Sequence, residues 1–202
     1  MADKKQQNKG SNGFYTAAIL LIVLFGFWAL APEKMFETTW QTEQHEIFDA
    51  GGSETNAWIL SQSLRVTDGL NKAATDMVKD ISQATPTSMA EWEANRIEAS
   101  IIWTNLIIYR GFILVMWILL GIPLVVAATI DAYYAREIAK EAFVAQSPNR
   151  HKIGVNIFHW GHLVLTAWII LPVHLPFLVM PCFTVLIAFS VWIWIRNLQK
   201  RL

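Results

Sequence analysis

Residues 101–130 read IIWTNLIIYRGFILVMWILLGIPLVVAATI, a thirty-residue stretch in which Arg110 is the only charge. A membrane-spanning helix needs about 20 mainly apolar residues, so this stretch supplies one span with length to spare. It runs without a glycine, proline or turn cluster into 129–143, TIDAYYAREIAKEAF, which carries charges and two tyrosines. Two other runs lack Lys, Arg, Asp and Glu altogether: Phe14 to Ala31 and the 39 residues from Ile157 to Ile195. The second can hold two spans if it turns at LPVHLP (171–176), because Pro172 and Pro176 break a helix interior. Overall the 202-residue chain is 54% hydrophobic and 16% charged, against roughly a quarter charged in a soluble domain. The expected fold class is an all-α integral membrane protein with four transmembrane helices, 14–31, 101–130, 157–173 and 174–195.

Orientation follows from the placement of Lys and Arg, which favour the cytoplasmic side. With four spans, the 1–13 leader, the 131–156 loop and the 196–202 tail share one side. Together they hold ten basic and four acidic residues, whereas 32–100 holds five basic and twelve acidic. Both termini and 131–156 are therefore expected in the cytoplasm, and 32–100 in the periplasm, with the chain in a bacterial inner membrane. Phe14 to Ala31 reads as an uncleaved anchor, since Pro32 directly follows the small-x-small ending Ala29-Leu30-Ala31. The single Cys182 has no intramolecular partner and is silent on redox compartment.

Within 32–100 the pattern predicts a periplasmic helical hairpin between spans 1 and 2. The first helix continues past Pro32, AGGS (50–53) turns the chain, and Leu60, Leu64, Leu70, Ala74, Met77 and Ile81 recur at helical spacing. Ser88 and Glu91 form a capping-box pattern, and the helix they start has no stop signal before the membrane. It is expected to run unbroken from Met89 into the second span and three turns beyond it. Pro148 is expected to end that extension and Asn149 to Lys152 to form a basic turn.

Few residues suggest chemistry. His159 and His162 share a helix face, but haem ligation needs a second histidine at the same depth on a facing helix, and the other spans have none. A zinc site needs three or four ligands, and nothing completes one with that pair. No nucleophile motif, phosphate-binding loop or pair of intramembrane carboxylates appears. The reading is therefore no enzyme, no cofactor and no metal. Arg110 lies about 20 residues before Asp131, or ~30 Å of helix, which is the thickness of the hydrocarbon core. It is expected to be a membrane-interface anchor, snorkelling at the outer surface beside Tyr109. In the cytoplasmic extension Asp131, Tyr133, Tyr134, Arg136 and Glu137 are either ordinary flanking charges and aromatics or a rigid docking surface for another protein. These five are the candidate partner-binding residues.

The order of a basic N-terminus, a span, an external helical region, a span running into IDAYYAREI, a basic turn and a two-span hairpin resembles the integrating conjugative element membrane protein family. The local signature falls on Asp131, Arg136 and Glu137. The resemblance implies an accessory inner-membrane protein of conjugative DNA transfer by type IV secretion. The implied partner is the transmembrane region of the hexameric, membrane-anchored coupling ATPase. Besides that partner, the chain is expected to contact the lipid bilayer and to be open to self-association. Direct nucleic-acid binding is not expected, because four basic residues in 131–156 are few beside the 6–10 phosphate contacts of a good binder. The rival reading is a small membrane sensor or channel-like homo-oligomer that relays periplasmic binding to the cytoplasmic loop.

Overall fold

The computed structural model describes residues 22, 24–84, 88–143 and 147–198. The 1–13 leader and most of the first apolar run lie outside the described residues. What is described is helical: a segment over 24–30, then α1 (Glu33–Ala84), α2 (Ser88–Glu141), α3 (Pro148–Ile170) and α4 (Val179–Arg196). The helix does not continue through Pro32; it stops at residue 30 and restarts at Glu33.

α1 is two arms joined at Gly52, whose φ of 82° is the left-handed backbone that glycine adopts without strain. The AGGS turn therefore falls where expected. Both arms pack on the N-terminal half of α2, in opposite directions. The 24–51 arm runs the same way as α2: Trp28 meets Trp92, Phe36 meets Trp103 and Glu43 meets Arg110. The second arm returns, pairing Trp58 with Phe112, Asn56 with Tyr109 and Asn71 with Asn105. The hairpin is thus clasped against α2, and the residues on either side of its tip reach Tyr109 to Ile113, inside the apolar stretch. Phe36, Ile47, Ile59, Leu106 and Tyr109 fill its core. Arg96 donates to the carbonyls of Trp28 and Ala31 at 3.1 and 2.7 Å, satisfying groups that the end of the 24–30 helix leaves open.

Among the described residues three helices, α2, α3 and α4, are long and apolar enough to cross a membrane. α2 is continuous from Ser88 to Glu141, as the missing stop signal implied. Pro123 interrupts its ladder without ending it; a spanning helix tolerates the freed carbonyl where neighbouring groups compensate. α4 packs along both α2 and α3, while α2 and α3 scarcely meet. Glycines set the close approaches. A Cβ on Gly154 would stand 2.8 Å from the Trp194 backbone nitrogen, and one on Gly121 would stand 2.6 Å from Thr184 Cγ2. Small residues of this kind let helix backbones approach in a bilayer, where no hydrophobic effect drives them together.

Pro148 plays a different part from the expected one. α2 has already ended at Glu141, and Pro148 opens α3 behind the N-cap Ser147, whose hydroxyl accepts from the Arg150 N–H at 3.5 Å. Proline suits a first helical turn because that position needs no donor. Asn149 to Lys152 is accordingly the first turn of α3. The LPVHLP stretch does turn the chain, over residues 171–178 between α3 and α4.

Candidate functional site

Arg110 is corrected by the structure. Its side chain does not snorkel outward; it is fully buried, and every N–H of the guanidinium has an acceptor. Nε and Nη2 bind Glu43 side-on at 3.0 and 2.5 Å. Nη1 donates to the carbonyl of Trp168 and, at 2.5 Å, to that of Leu171. Nη2 also donates to the Val173 carbonyl at 3.0 Å. The guanidinium further lies over the Trp168 ring, 5.0 Å from its centroid. The physical reason is the cost of burying an unpaired charge, which a counter-ion and convergent carbonyls remove. Arginine suits the task because its five donors form a rigid fork.

Three chain segments meet at this one side chain: the first arm of α1, α2, and the end of α3 with the turn that follows it. Glu46, one turn beyond Glu43, grips the same turn; its carboxylate accepts from the Phe177 N–H at 2.8 Å and lies 3.1 Å from His174 Nε2. Thr39 adds a bond from its hydroxyl to the Pro172 carbonyl at 3.2 Å. Thr39, Glu43 and Glu46 recur at helical spacing, so one face of α1 clamps the 171–177 turn. Burial raises the Glu43 carboxyl above its ordinary value, and the hydrogen bonds and charge of Arg110 pull against that rise. Sequence reasoning missed Glu43 and Glu46. The available signal was Arg110 itself, a charge in an apolar run that calls for a partner.

At the other end of α2 the five candidate partner-binding residues are not gathered into one cluster. Asp131 is tied into the fold: its carboxylate accepts from Trp192 Nε1 at 2.6 Å, and Arg196 stacks 4.8 Å above the same indole. This joins the ends of α2 and α4. Trp192→Phe should remove one exposed hydrogen bond and cost about 0.5–1.5 kcal/mol, read as a small drop in melting temperature with the helix content intact. Tyr133 and Tyr134 are 52% and 62% exposed and meet edge to face at 5.8 Å. Ile138 and Phe143 add exposed apolar surface. Glu137 pairs with Lys140 one turn on. Arg136 Nε is enclosed, yet has no hydrogen-bond acceptor among the described residues.

His159 and His162 each direct Nδ1 at a carbonyl of their own helix, that of Val155 at 2.7 Å and that of Phe158 at 2.9 Å. Among the described residues no three of His, Cys, Asp and Glu converge as metal ligands.

These features define a protein that is all-helical in its described residues, with three helices among them able to span a membrane and an ion-paired clamp where they join α1. Residues 27–199 match the DtrJ-like family, described as IncC plasmid conjugative DNA transfer protein DtrJ-like, and the chain belongs to that family. A role in conjugative DNA transfer follows from this membership. No curated protein and no solved structure matches the chain.

Proposed function

We propose that the chain is a non-enzymatic scaffold of conjugative DNA transfer, seated in the inner membrane, that binds the transmembrane region of the type IV coupling ATPase rather than nucleic acid. The observation that carries this reading is the continuity of α2. Its 54 residues make a rod of ~81 Å at ~1.5 Å per residue. The clamp at Arg110 fixes the outer part of that rod to α1 and to the α3–α4 turn. A rigid element held in this way presents the 131–137 surface at a defined height below the membrane.

In this reading α2, α3 and α4 are spans, the clasped outer helices are periplasmic, and the 131–152 segment and the end of α4 are cytoplasmic. Arg136, Lys140, Arg150, Lys152 and Arg196 support that orientation by the inside preference of basic residues. The exposed Tyr133, Tyr134 and Ile138, and Arg136, whose Nε has no acceptor among the described residues, support a docking role for the extension, since interface centres favour aromatic residues and arginine. Asp131 serves as an internal tie to Trp192, so Arg136 is the cleaner residue to change.

Arg136→Ala should lower recovery of the coupling ATPase with the tagged chain about tenfold, the equivalent of one interface residue worth about 1.4 kcal/mol. Its melting temperature should stay within a degree or two of the parent. If recovery and transfer frequency both remain at parental levels, 131–137 is not the docking site.

A further inference from the structure

We propose that the pocket between the start of α3 and the end of α4 binds the headgroup phosphate of an anionic phospholipid, held by Arg150 and Arg196. The two helices run antiparallel and close together here, Gly154 facing the backbone of Ser190 and Trp194. Arg150, one turn before Gly154, is thereby level with Arg196. Both line a pocket of about 260 Å³ whose apolar wall is Ile153, Phe189, Trp192 and Ile193. Both side chains are exposed, and neither guanidinium has a hydrogen-bond acceptor or a carboxylate partner among the described residues. The Arg196 guanidinium lies 4.8 Å from the centroid of the Trp192 ring. That stacking fixes its plane and leaves the N–H groups at its edge open. Asp131 touches the same wall through its bond from Trp192 Nε1 at 2.6 Å, and its charge offsets one of the two cations. The dipoles of the antiparallel helix ends oppose each other. The pocket is left net positive by its guanidiniums.

Two open guanidinium forks select a phosphate, whose oxygens take parallel N–H···O bonds from arginine. The wall selects a lipid. Ile153 and Phe189 are 51% and 54% exposed, and Phe189 stacks on Trp192 with ring planes 10° apart. A free phosphate ion gains nothing from that surface, whereas a phospholipid carries an acyl chain on the same molecule. Depth agrees. Arg150 lies ~30 Å along α3 from Ile170, and Arg196 ~26 Å along α4 from Val179, at ~1.5 Å per residue. Each distance is close to the thickness of the hydrocarbon core. Both arginines thus stand at headgroup level in the leaflet away from the 171–178 turn. Basic pockets between spans on the cytoplasmic side are suited to anionic headgroups. Such a site requires α3 and α4 to be spans, and so rests on the inner-membrane reading; it does not depend on the coupling ATPase.

The test uses the full-length chain in nanodiscs of equal parts phosphatidylcholine and phosphatidylglycerol, with the lipids it retains counted by native mass spectrometry. The parent should retain phosphatidylglycerol in preference to phosphatidylcholine. Arg150→Gln and Arg196→Gln should each lower that retention about tenfold, the loss of one hydrogen-bonded charge. The Arg150 guanidinium has no partner in the fold, so that variant should fold, with circular dichroism as the check. Lys152 carries the same charge at the same end of α3 but does not line the pocket. Lys152→Gln should leave retention within about twofold of the parent, as expected of a screened surface charge. Equal losses from all three changes would mean a diffuse attraction to anionic lipid and would overturn the site. Equal retention of the two lipids by the parent would overturn it as well. Excess inorganic phosphate should leave the phosphatidylglycerol in place, and its displacement would assign the pocket to the phosphate ion and overturn the lipid. Release of the chain from membranes by alkaline carbonate would instead overturn the span reading itself, a result distinct from any change in lipid preference.

Discussion

Replacing Arg110 with methionine should destabilise the protein by about 3–5 kcal/mol, because removing one member of a buried ion pair leaves the other charge uncompensated. The loss goes beyond the pair. The carbonyls of Trp168, Leu171 and Val173 lose their guanidinium donor in the same step. Glu43, 4% exposed, would keep its burial without the cation that opposes it, so its carboxyl should rise further above its ordinary value. Glu43→Gln should cost less, since Arg110 keeps its three carbonyls and an amide oxygen can still accept. The double variant should recover part of the methionine variant's loss, and the three unserved carbonyls should prevent full recovery. Thermal unfolding of the detergent-solubilised protein, followed by circular dichroism, reads all three. A methionine variant as stable as the parent would mean that the clamp does not hold α1 to α2 and the turn between α3 and α4.

Gly154→Leu should separate α3 from α4. A Cβ there meets backbone, Trp194 N at 2.8 Å and Ser190 O at 3.0 Å, so no side chain can swing aside to make room. Overpacking of this kind costs about 1–3 kcal/mol when neighbours can adjust and more when they cannot. Gly161→Ala is the control on the same helix, because its added carbon would have Leu186 at an ordinary 3.7 Å. The expected outcome is a large fall in melting temperature for the first change and almost none for the second. Gly121→Ala should lie between them, since its 2.6 Å neighbour is the side chain of Thr184.

The sequence announces the parts of this fold that depend on local pattern. The apolar runs over 101–130 and 157–195 mark the three helices that are long and apolar enough to cross a membrane, AGGS marks the reversal at Gly52, and the unbroken pattern from Met89 marks the continuity of α2. Parts that depend on meetings between distant segments were not legible. Arg110 and Glu43 are 67 positions apart, and no periodicity in 33–51 distinguishes Glu43 from the other carboxylates around it. Position along α2 does not settle the fate of Arg110: such a charge can reach water or be given a counter-ion, and only the packing decides. Pro148 was read as a stop, although proline at the first position of a helix is as natural as proline beyond its end. Asp131 stands out by motif, whereas the hydrogen bond it accepts from Trp192, 61 positions away on α4, has no local signal. The direction in which the 24–51 arm runs along α2 has no signature in composition, since either direction buries the same residues.

The most direct test of the scaffold account is recovery of the coupling ATPase with the affinity-tagged, full-length chain from detergent-solubilised donor membranes. Transfer frequency is followed in the same strains, with and without the chain. The account predicts that the ATPase is retained in a defined ratio and that loss of the chain lowers transfer. Transfer that proceeds equally well without the chain, together with an affinity-purified fraction free of the ATPase, would contradict it.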